Sequence, residues 1–129
     1  MAQAYQGQGK VLLCIDDNQA ILEYERSLFE GLGFNVVTTA SARHGLRLAT
    51  TSTFDAVLLD YQMPDLNGHE VATEIRRMRP ETLVIMFSGS EIPEETQKLV
   101  DAVVPKHGEI RALLPVVTRL CDRSSPSPV

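Results

Sequence analysis

The apolar residues of this chain fall into five short runs separated by stretches in which apolar and charged residues alternate at helical spacing. The runs at 10–15, 34–39, 55–60, 82–87 and 102–104 have strand length, and the first, third and fourth carry no charge on either face between their end residues. They predict buried strands. Between them, Ile21, Leu22, Leu28 and Phe29 recur among Glu23, Glu25, Arg26 and Glu30, which predicts an amphipathic helix from residue 19 to about 31, stopped by Gly31-Leu32-Gly33. Ser41 caps a second helix through Leu46, Leu48 and Ala49. The third spans 68–78 and ends at Pro80, a fourth of weak amphipathicity covers about 93–99, and the last covers about 109–122. Pro115 lies inside that last helix, where a proline removes a backbone hydrogen bond and costs about 3 kcal/mol, so a kink or a break into two short helices is expected near Leu114.

Five strands, each followed by a helix, imply an α/β fold, a doubly wound parallel sheet with helices on both faces. One domain over residues 10–122 accounts for the pattern, between a polar leader at 1–9 read as flexible and a tail at 123–129 read as disordered by its Ser and Pro content. In such sheets ligands bind beyond the carboxyl ends of the strands, at the point where the strand order reverses. The residues at those ends therefore matter most. Strand one ends in Asp16-Asp17, strand three in Asp60, strand four in Ser88 and strand five in Lys106; strand two has no candidate. With the flavodoxin-like order 2-1-3-4-5, the four polar termini are contiguous and converge on one crevice.

Each feature alone has an ordinary explanation. Asp16-Asp17-Asn18 reads as an acidic helix cap, although Asn18 can supply the cap itself; Asp60 and Ser88 read as turn residues, and Lys106 as a surface lysine. Their joint occurrence is what points to a site. Three crowded carboxylates repel and raise one another's pKa unless a cation joins them, and oxygen ligands without His or Cys select a hard ion such as Mg2+, which keeps several waters.

Charge and composition narrow the partners. A net charge of -5, with only twelve Lys and Arg among 129 residues, argues against direct nucleic-acid binding. No apolar run approaches the roughly 18 residues of a membrane span, and the polar start lacks a signal-peptide core, so no membrane insertion and a cytoplasmic location are expected. Cys14, inside an apolar run, and Cys121 read as small buried hydrophobes, with no CxxC or metal-binding spacing.

The fragments IDDN at 15–18, LLDYQMPDLNG at 58–68, FSG at 87–89 and PKH at 105–107, in this order and spacing, resemble the receiver domains of two-component response regulators, over about residues 10–122. The size is that of the single-domain chemotaxis regulator. The resemblance implies that Asp60 is the phosphoacceptor, taking a phosphoryl group from a sensor histidine kinase or a phosphotransfer protein. It further implies that Asp17, Asp60 and the backbone carbonyl of Gln62 bind Mg2+ directly, that Asp16 acts largely through water, and that Ser88 and Lys106 contact phosphoryl oxygens. Such a domain is no enzyme beyond catalysing its own phosphorylation and dephosphorylation. It acts as a monomer or weak dimer by docking onto a downstream protein target.

This chain departs from the family in three places. His107 follows the lysine where the family usually has a proline after a cis peptide, Val103 stands where Tyr or Phe is common, and Ser88 replaces the commoner Thr. These departures keep open an alternative, a receiver-like protein-binding module that is not phosphorylated. Two other classes fit poorly. A flavodoxin-like electron carrier needs a phosphate loop after strand one, where Asp16-Asp17 repel phosphate. A haloacid-dehalogenase-type phosphatase needs a second Asp at the position of Gln62.

Overall fold

A computed structural model describes residues 7–124. Its strands are β1 (Val11–Ile15), β2 (Asn35–Thr39), β3 (Ala56–Leu59), β4 (Leu83–Ser88) and β5 (Ala102–Pro105). The helices are α1 (Gln19–Glu30), α2 (Ala42–Thr51), α3 (Gly68–Met78), α4 (Glu94–Gln97) and α5 (Leu113–Ser124). All strands are parallel and lie in the expected flavodoxin-like order β2-β1-β3-β4-β5.

The period-two geometry of a strand sends alternate residues to opposite faces, and here both faces are apolar. Leu12, Cys14, Leu58, Ile85 and Phe87 face one way and pack under Leu22 and Phe29 of α1 and Leu113, Val117 and Cys121 of α5. Leu13, Ile15, Val57, Leu59, Val84 and Met86 face the other way, under Ala42, Ala49, Val71, Ala72 and Ile75 of α2 and α3. Burying a Leu, Ile or Phe side chain stabilises by about 1.5–3 kcal/mol, so these two layers dominate the stability. The approach is close: a Cβ at Gly45 of α2 would lie 2.5 Å from Ile15 Cδ1. Gly45 thus lets the helix lie directly on β1.

Several boundaries differ from those the sequence predicts. The leader expected at 1–9 is partly structured, since the Gly7 N–H donates to the Leu32 carbonyl and the Gly9 N–H to the Gly33 carbonyl at 3.1 Å, tying this segment to the turn after α1. Residues 1–6 lie outside the described residues. At the other end Arg123 and Ser124 still belong to α5, and 125–129 lie outside. The expected break near Pro115 falls between a single turn of 3-10 helix, Ile110–Ala112, and α5. Pro115 is then the third residue of α5, in the first turn, where the missing N–H has no helical partner to lose.

Helix α4 is four residues long, whereas the sequence predicts about seven. After Gln97 the bonds span three residues, Leu99 N–H to Thr96 O at 3.0 Å and Val100 N–H to Gln97 O at 3.4 Å, and Arg76 of α3 then holds the chain, its Nε donating to the Leu99 carbonyl at 2.6 Å and its Nη1 to the Thr82 carbonyl at 2.9 Å. Its other nitrogen pairs with Asp101, and Asp101 Oδ2 accepts the Val84 N–H at 2.8 Å. One guanidinium therefore ties the chain just beyond α4 to α3 and to the start of β4.

Candidate functional site

At the carboxyl edge the backbone of each strand is fixed by its neighbours before any side chain is considered. The Asp16 N–H donates to Thr39 O at 3.2 Å and the Asp60 N–H to Ile15 O at 3.0 Å, which sets the two carboxylates side by side at the switch point between β1 and β3. Asn18 caps α1, accepting the N–H groups of Ala20 and Ile21 at 3.0 and 3.2 Å. Asp16 and Asp17 are thereby free of capping duty.

The three carboxylates predicted to share a crevice do so: Asp16, Asp17 and Asp60 each present an oxygen, all within 4.8 Å of one another. Asp16 and Asp60 are buried and Asp17 is exposed. Lys106, at the end of β5, reaches across with Nζ 2.7 Å from Asp16 Oδ2 and 3.4 Å from Asp60 Oδ1, while lying 5.6 Å from the centre of the Phe87 ring. Asp16 Oδ1 accepts the Asn18 N–H at 2.9 Å, so both oxygens of Asp16 are engaged.

Electrostatics follow the geometry. Burial first, then the Asp16 charge, push the Asp60 carboxyl up to about 6; Lys106 opposes this and Asp17 adds to it. For Lys106, burial disfavours the ammonium, yet the hydrogen bond and charge of Asp16 and the charge of Asp60 outweigh it and hold the pKa above its ordinary value. One ammonium cannot balance three carboxylates, and a site so poised fits a divalent cation with oxygen ligands.

Ser88 ends β4, buried, with its Oγ accepting the Ser90 N–H at 3.0 Å; its carbonyl accepts the Lys106 N–H at 2.8 Å, which joins the two residues across the sheet. No described peptide is cis, so the Lys106–His107 bond is trans. Gln62 is exposed in the loop after β3. Gly68 closes that loop, donating its N–H to Tyr61 O at 2.6 Å. A Cβ there would sit 2.8 Å from Tyr61 Cα and 3.1 Å from the Asp60 carbonyl, so only glycine lets the loop return this close to the site.

Two features escape the sequence pattern. Glu25, assigned above to the polar side of α1, is only 2% exposed and its Oε1 has no hydrogen-bond partner. Burial, then Asp16, push its carboxyl up to about 8, while a hydrogen bond with the Cys14 side chain and the charge of Lys106 pull the other way. The signal is its spacing, three residues after Leu22 and four before Phe29, which is the buried stripe of the helix. The second is Asp65, in a segment that reads as plain turn chemistry. Its carboxylate accepts the N–H groups of Arg43 at 3.0 Å and Ala42 at 3.3 Å, and the Ser41 hydroxyl at 3.3 Å. These bonds, that of Arg43 first, lower its pKa.

A doubly wound parallel sheet with three carboxylates and a bridging lysine at its switch point is the class of fold and site that the structure defines. The comparisons with known proteins agree. Residues 12–108 match the response regulator receiver domain. A cell cycle response regulator, CtrA of Brucella ovis, is 32% identical over 78 residues, covering 60% of this chain and 34% of that protein, so the chain spans about a third of that relative's length. Among solved structures, a CheY-like receiver domain from Methanospirillum hungatei JF-1 superposes with a TM-score of 0.82 at 28% identity, over 90% of this chain and 96% of that one. The response regulator TrrA of Thermotoga maritima, in complex with Mg2+ and BeF, gives 0.80 at 26% identity, over 86% and 98%. The same regulator in complex with the histidine kinase ThkA gives 0.78 at 26%, over 86% and 97%. The chain belongs to the response regulator receiver domain family of two-component signalling. No helix among the described residues is long and apolar enough to cross a membrane.

Proposed function

We propose that Asp60 is the phosphoacceptor of a phosphorelay and that phosphorylation switches a docking surface beside Ser88. The observation that carries this reading is the meeting of three carboxylates within 4.8 Å with Lys106 bridging two of them at the switch point. In the transfer, a carboxylate oxygen of Asp60 forms a bond to phosphorus as the phosphorus–nitrogen bond of a kinase or phosphotransfer histidine breaks, and the departing imidazole takes a proton from solvent. Such transfers need positioning and neutralisation of charge more than a general base. Mg2+, when bound, supplies neutralisation at the phosphoryl oxygens. Asp17, exposed, and Asp60 would hold it together with the Gln62 carbonyl; Asp16, with both oxygens engaged, would act through water. Lys106 balances the third charge, and Ser88 donates to a phosphoryl oxygen.

Intact mass after incubation with a small phosphodonor tests the assignment. One phosphoryl group is expected on the wild-type protein with Mg2+, and none with excess chelator or in Asp60→Asn. Labelling that persists in Asp60→Asn rejects Asp60; a wild-type protein that takes up nothing favours the unphosphorylated binding module.

The switch itself starts at Ser88. Moving its Oγ toward a phosphoryl oxygen breaks the bond it accepts from Ser90 N–H, so the loop from Gly89 must rearrange. Val103, 39% exposed, borders a cleft of about 300 Å³ with Ser88, Ile92 and Pro105, and its short branched side chain has few rotamers with which to fill it. A phosphoryl mimic at Asp60 is therefore expected to shift amide resonances of 89–95 strongly and those of 103–114 little. The opposite distribution rejects this route.

A further inference from the structure

We infer that Asp65 is a positioning residue for the cation site, acting as a latch that fastens the loop between β3 and α3 to the first turn of α2. This rests on reading the acidic cluster as a Mg2+ site with the Gln62 carbonyl among its ligands.

The latch follows from counting the free N–H groups at the start of α2. A helix leaves its first N–H groups without internal partners. Here the Ser41 hydroxyl accepts that of His44 at 3.1 Å, and those of Ala42 and Arg43 go to Asp65 at 3.3 and 3.0 Å. The Ser41 hydroxyl in turn donates to Asp65 Oδ2. Both oxygens of Asp65 are thus used by a segment 22 to 24 residues earlier in the chain. A negative charge there also meets the positive end of a ten-residue helix. An aspartate serving only its own turn would bond to its own neighbours instead.

The consequence lies at Gln62. Its loop is pinned at the base, where Gly68 N–H meets Tyr61 O, and at the far side by the capping box of Asn67 and Glu70. Tyr61, Met63 and Leu66 rest against the core. Asp65 is the one residue of 61–67 whose side chain is bonded to a different helix of the sheet's cover, so it fixes the tip that follows Gln62. Releasing it leaves the Gln62 carbonyl free to wander, and the freedom must be lost again when an ion binds.

Partners one step removed from a metal typically change its affinity about 10–100-fold when removed, and a link through three residues of backbone belongs at the low end. Calorimetric titration of the full chain with MgCl2 is expected to show binding about tenfold weaker in Asp65→Ala than in the wild-type protein. Asp65→Asn keeps an acceptor for the Arg43 N–H and is expected to recover most of the affinity. Amide hydrogen exchange at Arg43 should quicken in Asp65→Ala and not in Asp65→Asn. Unchanged Mg2+ affinity in Asp65→Ala, with a lower melting temperature or faster exchange, marks a plain helix cap and overturns the latch alone. A wild-type protein that binds no Mg2+, or an Asp60→Asn variant that binds it as tightly as wild type, overturns the latch together with the reading of the cluster.

Discussion

Urea unfolding at pH 8 is expected to find Glu25→Gln more stable than the wild-type protein by about 4 kcal/mol, a difference that nearly disappears by about pH 4.5. The sign comes from linkage. Glu25 titrates near 4.5 in the unfolded chain and at about 8 in the folded one, because burial and the neighbouring Asp16 disfavour its charge. Below about pH 4.5 both states hold the proton and nothing is lost. As pH rises toward 8 the unfolded state gives up its proton while the folded state cannot, so stability falls by about 1.4 kcal/mol per pH unit at most, and the loss is complete above 8. Glutamine has the shape of the protonated acid and no proton to lose, so its stability should not follow that slope. Glu25→Leu should share the flat profile, because it removes the group altogether. Parallel pH profiles for the wild type and Glu25→Gln would show that the carboxyl is not held neutral.

Glu25 also marks where sequence reasoning stops short. A helical pattern gives the positions of a stripe, but it identifies the stripe by its apolar members, so a charged residue at a stripe position is assigned to solvent by default. Only the neighbours, Cys14 on β1 and Asp16 just beyond its end, reveal the burial, and they lie outside the helix. The same limit explains Asp65: Met63-Pro64-Asp65 announces a turn, while its bonds to Ala42 and Arg43 depend on how α2 lies against α3. The end of α4 is likewise invisible in the pattern, since the chain turns to three-residue bonds after Gln97 and is then held by Arg76 of α3.

What was legible rests on properties that tertiary packing does not override. Strand runs such as Val11–Ile15 and Ala56–Leu59 are apolar on both faces, which requires cover on both sides and hence a parallel sheet with crossover helices. The flavodoxin-like order 2-1-3-4-5 is the one expected because it sets the strands ending in Asp16, Asp60, Ser88 and Lys106 side by side, and the observed sheet has that order. Asn18 shows the same economy on a smaller scale, since the cap that it supplies leaves neither preceding carboxylate needed to cap α1.

Lys106→Met is expected to destabilise the metal-free protein by about 2–3 kcal/mol and to lose much less in saturating Mg2+. Removing one partner of a buried ion pair typically costs about 3–5 kcal/mol because the other charge stays behind, and the lower figure applies here because the crevice opens to water beside Asp17. Without the ammonium, Asp16 loses its contact at 2.7 Å and Asp60 its contact at 3.4 Å, while their mutual repulsion remains. Asp60, already pushed up to about 6, then rises further. A raised acid loses stability as pH climbs from its unfolded value to its folded one, so the added loss in the variant comes above the wild-type value of about 6, and its deficit should be smallest near pH 5 and grow toward pH 8. Mg2+ restores positive charge to the same oxygens and should close most of the gap. Thermal melts at pH 5 and pH 8, with and without MgCl2, separate the contributions: a deficit independent of both pH and Mg2+ would mean that Lys106 stabilises by packing its stem beside Phe87 and not by its charge.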